Sequence, residues 1–303
     1  MRRVLLWMAR NPWLRRHVPR LWFVRRALRR FMPGETLEDA LVAAASYRPQ
    51  GIGALLTHLG ENLVDPAEAD AVAAHYLDAL EQIKARGVDC EISLKLTQLG
   101  LDLDQEMARR HLAGLARRAR ELGAGTVWID MEGSDYTEAT VALYESLLPE
   151  HSNLGICLQA YLRRTAVDIE RLLPLHPAIR MVKGAYDEPA RIAYRTRSEV
   201  DAAFLAACVS ILRGGATLGL GTHDVRLIEQ IGASGGASGI PRESYEVQML
   251  YGIRTGELER LAREGYRARV LIAYGEFWYP WYVRRLAERP ANVTFVLRQL
   301  LPW

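Results

Sequence analysis

Short apolar segments alternate with longer amphipathic segments along most of the chain, from Gly34 onward. The apolar segments are rich in aliphatic and β-branched residues, which is typical of buried strands, whereas the amphipathic segments repeat apolar positions at helical spacing. The predicted strands are 53–59, 90–96, 126–131, 155–158, 179–182, 218–222, 246–249 and 269–272. The predicted helices include 66–86, 105–122, 138–148, 165–173, 199–212 and 225–231.

This alternation indicates a parallel sheet, because parallel neighbours need a crossover connection that is usually a helix. Eight βα units in ~250 residues have the size of a (β/α)8 TIM-like barrel. A doubly wound sheet is the alternative, but the first predicted strand leads into residues 57–62 (THLGEN) and not into a glycine-rich dinucleotide turn. We therefore predict an α/β fold with an N-terminal arginine-rich helical arm, residues 1–48, and a (β/α)8 barrel, residues 49–303.

The N-terminal arm has an unusual charge. Residues 1–34 contain ten arginines and no acidic residue, and apolar positions recur among the arginines at roughly helical spacing. No apolar run approaches the ~20 residues that span a bilayer, and the pattern of a signal peptide is missing. Two interpretations stay open: short helices that pack on the barrel, or a helix on an anionic membrane surface. In the second, the headgroup region would hold Trp7, Trp13 and Trp22.

Composition and charge exclude several classes of protein. With 50% hydrophobic and 25% charged residues among 303, the chain resembles an ordinary globular protein and neither collagen nor a disordered chain. The formal net charge of +3 is uneven, since residues 35–303 hold 29 of the 39 Lys and Arg residues and all 36 acidic residues. We therefore expect no nucleic-acid partner. Three cysteines without CxxC or zinc spacing predict no metal site and a reducing cytoplasm.

Polar residues stand at the ends of most predicted strands, where a barrel of this type carries its active site. Lys95 and Asp130 each follow apolar residues, so each is expected to enter a partly buried space, and a buried charge needs a partner. We predict a Lys95–Asp130 ion pair. The other polar residues near strand ends are Gln159, Arg180, Lys183, Thr222, His223, Glu246 and Gln248.

A pair of arginines follows an aromatic segment near the C-terminus. Residues 277–282 (FWYPWY) precede Arg284 and Arg285, and Glu288 lies four and three residues after them, on an adjoining helical face. Most double arginines are solvated surface, but a helix this aromatic is expected to pack against the fold. Its arginines could then form a fork for a small carboxylate.

Three further features have simpler interpretations. His223 could act as a general base or as a hydrogen-bond partner. Cys157 lies within a predicted strand and is expected to belong to the core. Residues 232–239 (GASGGASG) lack the lysine of a phosphate-binding loop and are predicted to form a flexible loop.

Five of these segments, in this order, resemble the proline dehydrogenase family. The segments are SLKL (93–96), RMVKGAY (180–186), THD (222–224), EVQMLYG (246–252), and WY (278–279) followed by RRLAERPAN (284–292). The resemblance runs from about Phe31 to the C-terminus. No aldehyde dehydrogenase module follows, so the chain resembles the short, monofunctional bacterial type.

The resemblance implies an FAD-binding barrel that oxidises L-proline to Δ1-pyrroline-5-carboxylate and passes electrons to a membrane quinone. It also implies a cytoplasmic enzyme that would contact the inner face of the membrane through residues 1–31. Asp130 and Arg180 would be catalytic, with Arg180 near the flavin N5 edge. Substrate would be bound by Lys95, Arg284, Arg285 and Glu288. FAD would be lined by Met131, Gln159, Lys183, Gly184, Ala185, Thr222 and His223.

Two positions depart from the family, and other functions stay open. Leu271 and Trp281 stand where the family usually has tyrosines, so we expect a more apolar site and a changed selectivity among cyclic imino acids. One alternative is another barrel flavoenzyme, such as a folate-type reductase or an oxidase of a related imino acid. A second is an aldolase with Lys95 as a Schiff base, although an acidic partner would keep that lysine charged. The third is a nucleic-acid binder that uses the arm.

Overall fold

The computed structural model describes residues 7–8, 11–60, 63, 65–237 and 241–288. Within these ranges only the backbone is described at residues 12, 15, 20, 23, 25, 27, 237, 243 and 284–288. The predicted eight strands form a closed barrel in which every strand is parallel to both neighbours. They are β1 (Gly53–His58), β2 (Cys90–Leu94), β3 (Val127–Ile129), β4 (Leu154–Gln159), β5 (Ala178–Val182), β6 (Thr217–Gly221), β7 (Tyr245–Leu250) and β8 (Arg267–Tyr274). The (β/α)8 TIM-like fold is thus confirmed.

Helices alternate with these strands and surround the barrel. Those in the N-terminal segment are α1 (Pro12–His17), α2 (Trp22–Leu28) and α3 (Leu37–Ser46). Those between strands are α4 (Pro66–Arg86), α5 (Gln105–Leu122), α6 (Ser134–Leu147), α7 (Thr165–Leu172), α8 (Arg197–Arg213), α9 (Val225–Ala237) and α10 (Thr255–Arg263). After β8 comes α11 (Trp278–Glu288). None of the helices described is both long and apolar enough to cross a bilayer.

Local signals in the sequence set the ends of several helices. The Asp65 side chain accepts a hydrogen bond from the Ala67 N–H at 2.9 Å, and Pro66 occupies the first turn of α4, so the helix begins at the predicted residue. Gly87 ends it in the left-handed conformation (φ 59°), which favours glycine. The sequence alone therefore suffices to bound this helix.

The start of α6 depends on a distant residue. We predicted a helix from residue 138, but it begins at Ser134. Glu188, in the segment after β5, accepts hydrogen bonds from the Ser134 N–H at 2.8 Å and from its hydroxyl at 2.6 Å. This carboxylate satisfies N–H groups that a helix start leaves open, and no local sequence pattern could have indicated it.

The glycine-rich segment 232–239 is helical where the structure describes it, so the predicted flexible loop was wrong up to Ala237. The reason is packing of α9 against the barrel. A Cβ atom at Gly232 would lie 2.8 Å from the Tyr266 hydroxyl and 3.2 Å from the Tyr245 hydroxyl. Glycine at this position lets the helix approach the tyrosines closely, which offsets its low helix propensity.

The N-terminal segment combines features of both interpretations of the arm. Leu28, Phe31 and Met32 are buried in a hydrophobic cluster with residues of α11, so part of the segment packs on the barrel. By contrast, Trp13 is 65% exposed and Trp22 is 73% exposed. Exposed tryptophans of this size are unusual on a globular surface and are typical of interaction sites. The division of the chain at residue 48 stays a prediction.

Two histidines and a tyrosine lie together between β1, β8 and α4. The rings of His58 and His75 have centroids 4.4 Å apart, and His75 Nε2 lies 2.8 Å from the Tyr274 hydroxyl. Burial lowers the pKa of His58 to about 4, with a further contribution from His75, and burial also lowers the pKa of His75. Both imidazoles are therefore neutral in the folded protein at neutral pH.

We expect the protein to lose stability as the pH falls from about 6.5 towards 4. In this window the unfolded chain binds protons at these histidines and the folded protein does not, so protonation favours unfolding. His58→Leu should reduce the acid-dependent loss by up to about 2 kcal/mol, measured by denaturant unfolding at pH 7.5 and pH 5. His176→Asn, at a positive-φ position that suits asparagine, is the control. Equal pH dependence in wild type and His58→Leu would contradict this assignment.

Candidate active site

Arg180 is the central charged residue at the carboxyl end of the barrel interior. It is 2% exposed and projects from β5. Its Nη1 donates to Asp130 Oδ1 at 2.7 Å and to the Ser93 hydroxyl at 2.9 Å, while its Nε donates to Gln248 Oε1 at 2.5 Å. Its Nη2 is buried and has no hydrogen-bond partner among the described residues. One donor nitrogen is thus left for a bound group.

Asp130 directly follows β3 and pairs with Arg180, a partner that the sequence did not predict. Its carboxylate also accepts from the Ser93 hydroxyl at 2.9 Å. The prediction assumed that the charge would be matched from the adjacent strand β2. Arginine is long enough to reach past β4 from β5, where Cys157 is the residue in register with Arg180.

Lys95 follows β2 directly and is half-buried. Its backbone N–H donates to Gln98 Oε1 at 3.1 Å, and Gln98 Nε2 donates to the carbonyl of His58 at 2.8 Å. Gln98, itself buried, therefore links the ends of β1 and β2 and fixes the backbone from which Lys95 projects. This link was not predicted from the sequence.

Gln159 ends β4 beside Met131, and both are buried. Gln159 Nε2 donates to the carbonyls of Met131 and Glu132 at 3.4 and 3.2 Å, which fixes the orientation of its amide. Its Oε1 is buried without a hydrogen-bond partner among the described residues. The strand ends thus present an open acceptor at Gln159 as well as an open donor at Arg180.

Lys183 lies within a cluster of charges beside the site. Its Nζ lies 2.5 Å from Asp201 Oδ1 and 3.4 Å from Asp224 Oδ2. Asp224 also pairs with Arg197 at 3.1 Å and Arg226 at 3.2 Å. Burial alone would raise the pKa of Asp224, but the hydrogen bond from Arg226 and the charge of Lys183 outweigh it and lower the pKa to about 2. Lys183 is therefore held by carboxylates.

Gly184 follows Lys183 with a φ of +110°. A Cβ atom there would lie 2.1 Å from the ring of Tyr161, so both the backbone conformation and the packing require glycine. Ala185 is half-buried next to it. The sequence had suggested small residues here for close approach of a cofactor, whereas the described contact is with Tyr161.

Thr222 and His223 follow β6. Thr222 is buried, and its hydroxyl accepts a hydrogen bond from the Asp224 N–H at 3.2 Å. His223 is half-buried, and its Nε2 accepts from the Leu250 N–H at 3.4 Å, a long contact that links the ends of β6 and β7. The nitrogen that accepts carries no proton, so this contact fits a neutral imidazole.

The helix that carries Arg284, Arg285 and Glu288 packs against the barrel, as the sequence predicted. Its Trp278, Tyr279 and Tyr282 are buried, and Trp278 Nε1 donates to Glu35 Oε1 at 2.9 Å. The side chains of the two arginines and of Glu288 lie outside the described residues. The backbone places all three residues in the C-terminal half of α11.

These features can be compared with known proteins. A family model described as "Proline dehydrogenase" matches residues 40–298. The chain belongs to the proline dehydrogenase family. It is 37% identical over 301 residues to proline dehydrogenase 1 of Bacillus subtilis subsp. natto, covering 99% of both chains. It is 35% identical over 277 residues to the proline dehydrogenase of Deinococcus radiodurans, covering 90% of this chain and 89% of that one. Membership of the predicted family is thus confirmed, and so is the prediction that the protein is an oxidoreductase, a proline dehydrogenase.

Solved structures show the same fold. The proline utilization A protein of Bdellovibrio bacteriovorus matches with a TM-score of 0.80 at 23% identity, covering 87% of this chain and 32% of that chain. The protein of Corynebacterium freiburgense matches with a TM-score of 0.74 at 22% identity, covering 98% of this chain and 34% of that chain. The proline dehydrogenase fold here therefore spans about a third of those longer chains.

Sequence reasoning missed the residues that hold Arg180 in this member of the proline dehydrogenase family. Trp128 was only one of the apolar residues that precede Asp130, yet the Arg180 Cζ lies 4.6 Å from the centre of its ring. A signal was present: Trp128 lies in β3 and Asp130 directly follows the strand, two positions later, and extended backbone puts both side chains on the same face. Gln248 was noted only as a strand-end residue, and its bond to Arg180 spans 68 positions of sequence.

Proposed function

We propose that this chain binds FAD at the carboxyl end of its barrel, oxidises L-proline to Δ1-pyrroline-5-carboxylate and passes the electrons to a membrane quinone. Membership of the proline dehydrogenase family supports the proline substrate. The structural observation that carries the proposal is the buried guanidinium of Arg180, which retains an unused donor nitrogen at the strand ends. A buried donor without a protein partner is costly unless a ligand satisfies it.

The open polar atoms fit an isoalloxazine ring. Such a ring offers several acceptor atoms and one N–H donor, so it requires both kinds of partner. Arg180 Nη2 is an open donor, and Gln159 Oε1 is an open acceptor. Arg180 would approach the N5 edge, and Gln159 would face the ring N–H. The remaining contacts would come from Met131, Lys183, Gly184, Ala185, Thr222 and His223.

When bound, the flavin supplies the hydride acceptor, so this chain needs neither a strong nucleophile nor a metal for the chemical step. The chain's contribution is position and charge. Arg180 holds a fixed positive charge, which favours added electron density nearby. Asp130 keeps this arginine ion-paired and, with Ser93, holds Nη1 in place. Both residues are therefore proposed as catalytic.

Substrate binding is assigned to Lys95, Arg284, Arg285 and Glu288. Two guanidinium groups suit a carboxylate, since each can donate two parallel hydrogen bonds. Glu288 would orient the pair from the same helix. A site with several cations also disfavours a protonated amine, which helps proline to lose the amine proton before oxidation.

Selectivity among imino acids is expected to depend on Leu271 and Trp281. Leu271 is half-buried on β8, in register with Leu55 and Leu250. Trp281 is buried in the cluster that includes Leu28 and Phe31. With aliphatic neighbours and no tyrosine hydroxyl at 271, the substrate ring would meet an apolar wall. This favours an unsubstituted ring over hydroxyproline.

The test is to purify the protein with FAD and to follow flavin bleaching with a panel of imino acids. We expect a yellow protein that absorbs near ~450 nm, is bleached by L-proline and is bleached more slowly by hydroxyproline. D-proline serves as the control for stereochemistry. A protein that cannot be loaded with FAD, or one that L-proline leaves oxidised, would overturn the proposal and favour the alternatives.

Arg285→Met is expected to lower kcat/KM for L-proline by about 10²–10³-fold while FAD content stays unchanged. The variant loses one charge-assisted pair to the carboxylate and keeps the flavin contacts of β4–β6. Steady-state kinetics with a soluble dye acceptor and the ratio of flavin to protein absorbance are the measurements. Equal loss of flavin would contradict the assigned role.

For the membrane contact, we propose that the exposed tryptophans of the N-terminal arm dock on the cytoplasmic face of an anionic membrane. Deleting residues 1–31 would also remove Leu28 and Phe31 from the cluster on α11, so substitution is the sharper test. Trp13→Ser/Trp22→Ser should weaken sedimentation with phosphatidylglycerol vesicles by about tenfold and leave turnover with the dye unchanged. Val42→Ser, exposed on α3, is the control. Unchanged sedimentation would contradict membrane docking.

A further inference from the structure

The barrel interior contains a closed circuit of six side chains, which we call the Arg180 ring. It runs from the carboxyl end of the strands to their amino end and returns. All six are buried or nearly so. Its members, in order around the circuit, are Arg180, Gln248, Glu246, Arg269, Glu91 and Trp128.

One side of the Arg180 ring consists of hydrogen bonds from β5 to β8. Arg180 Nε donates to Gln248 Oε1 at 2.5 Å, and Gln248 Nε2 donates to Glu246 Oε1 at 2.8 Å. Glu246 in turn accepts from Arg269 Nε at 3.2 Å. Each buried polar group on this side therefore has a partner of the opposite kind.

The other side of the ring supports the face of the guanidinium. Arg180 lies over the indole of Trp128, with 4.6 Å between its Cζ and the ring centre, and Trp128 Nε1 donates to Glu91 Oε2 at 2.7 Å. Glu91 Oε1 lies 3.8 Å from Arg269 Nη2, which closes the ring. The indole thus cannot tilt without breaking its bond to Glu91.

Gln248 has only one workable orientation in this ring. Its neighbour Arg180 can only donate, and on its other side Glu246 Oε1 is the acceptor of the bond from Gln248 Nε2. Turning the amide over would place two donors together on one side and two acceptors together on the other. The amide of Gln248 is therefore fixed, and it fixes Arg180 Nε.

Glycines of β6 make room for this contact. Arg180 on β5 and Glu246 on β7 lie in one row of the sheet, with Gly219 of β6 between them. A Cβ atom at Gly219 would lie 3.1 Å from the Gln248 amide nitrogen, and one at Gly221 would lie 3.4 Å from the Arg180 Cγ. The small residues let two long side chains meet across the intervening strand.

These contacts use Nε, Nη1 and one face of the Arg180 guanidinium and leave Nη2 open. We propose that Gln248, held by the rest of the Arg180 ring, is a positioning residue for the reaction: it sets the rotation of Arg180 so that Nη2 meets the cofactor. This inference rests on the proposed function, because the flavin is the partner assigned to Nη2. Without the bond to Nε, the guanidinium can rotate and pair more fully with Asp130, which withdraws the donor.

The test compares FAD-loaded wild type with Gln248→Met, which keeps length and removes both hydrogen bonds. We expect kcat for L-proline to fall about 10–100-fold, since small misplacement of a charged group costs this much, while KM and FAD content change less than about twofold. The flavin midpoint potential should fall, because the positive charge lies farther from the ring. That readout does not depend on turnover.

The matched control is Asn153→Leu, which also removes a hydrogen-bonded amide, here a half-buried one at the amino end of the barrel. Asn153 Nδ2 donates to the Ala116 carbonyl at 2.8 Å and touches no member of the Arg180 ring. We expect it to lower the midpoint of thermal unfolding by an amount similar to Gln248→Met and to leave the flavin potential and kcat unchanged. A merely structural role for Gln248 would make the two variants alike.

The rescue variant exchanges the two neighbouring groups, as Glu246→Gln/Gln248→Glu. Net charge is conserved, the new Glu can accept from Arg180 Nε, and the new Gln can accept from Arg269 and donate to that Glu. We expect this double variant to recover at least half of the lost kcat on a logarithmic scale. Wild-type kcat and potential in Gln248→Met, or no recovery in the exchanged pair, would overturn the inference. A wild type that binds no FAD would instead overturn the proposed function.

Discussion

Arg180→Lys is expected to lower kcat for L-proline by about 10²–10³-fold while the protein still folds and binds FAD. Lysine keeps the positive charge beside Asp130 but has a single nitrogen on a flexible stem. It cannot contact Asp130, Ser93 and Gln248 together and still present a donor to the cofactor. The fixed geometry of the charge is lost, and stabilisation of developing charge depends on that geometry.

The measurement is stopped-flow reduction of the flavin by L-proline, with FAD content and thermal unfolding measured on the same samples. Arg118→Lys is the matched control, because the Arg118 guanidinium also bonds two carboxylates, Glu81 and Glu121, but on the surface. We expect wild-type reduction rates there. If Arg180→Lys reduced its flavin at the wild-type rate, a point charge would be sufficient and the role assigned to the guanidinium fork would be wrong.

The barrel could be predicted because its determinants are local. Residues 154–158 of β4, for example, are apolar on both faces, as a strand covered by helices on one side and by a core on the other is expected to be. The boundaries of α4 follow from Asp65, Pro66 and Gly87. The start of α6 depends instead on the distant side chain of Glu188, and there the prediction failed.

The same distinction applies to the site. That polar residues gather at the strand ends follows from the topology of a parallel barrel, so Asp130, Gln159 and Arg180 could be named in advance. Which of these residues pair with each other could not be predicted. The Trp128 ring that supports Arg180 requires a glycine on the neighbouring strand, since a Cβ atom at Gly155 would lie 2.6 Å from this ring. The need for a small residue at such a position is visible only once the register of the strands is known.

The buried charges make the barrel interior costly to disturb. Arg269 lies in the interior near the amino end of β8. Its guanidinium forms ion pairs with Glu246 at 3.2 Å and with Asp89 at 2.9 Å. Burial alone would lower the pKa of Arg269, but the charges of Glu246, Glu91 and Asp89 outweigh this and raise it. Burial raises the pKa of Glu91, although the charge of Arg269 opposes this. The cation and its carboxylates thus keep each other ionised.

Arg269→Met is expected to lower the free energy of unfolding at pH 8 by about 3–5 kcal/mol, because it leaves buried carboxylates without their cation. The loss should shrink at pH 5.5. Without Arg269 the pKa of Glu91 in the folded protein, already raised by burial, rises further above that of the unfolded chain, so the folded variant takes up a proton there as the pH falls and regains stability.

Denaturant unfolding at the two pH values measures this, with Arg86→Met as the control. Arg86 pairs with Glu38 on the surface, and its loss should change neither the midpoint nor the pH dependence. If Arg269→Met cannot be purified at pH 8, the double variant Arg269→Met/Glu246→Gln is used. It removes one of the two carboxylates that have lost their cation, so it should be easier to purify. A stability of Arg269→Met equal to the wild type at pH 8 would contradict the role of Arg269 as the cation that these two glutamates require. Arg269 could then not hold them as charged members of the Arg180 ring.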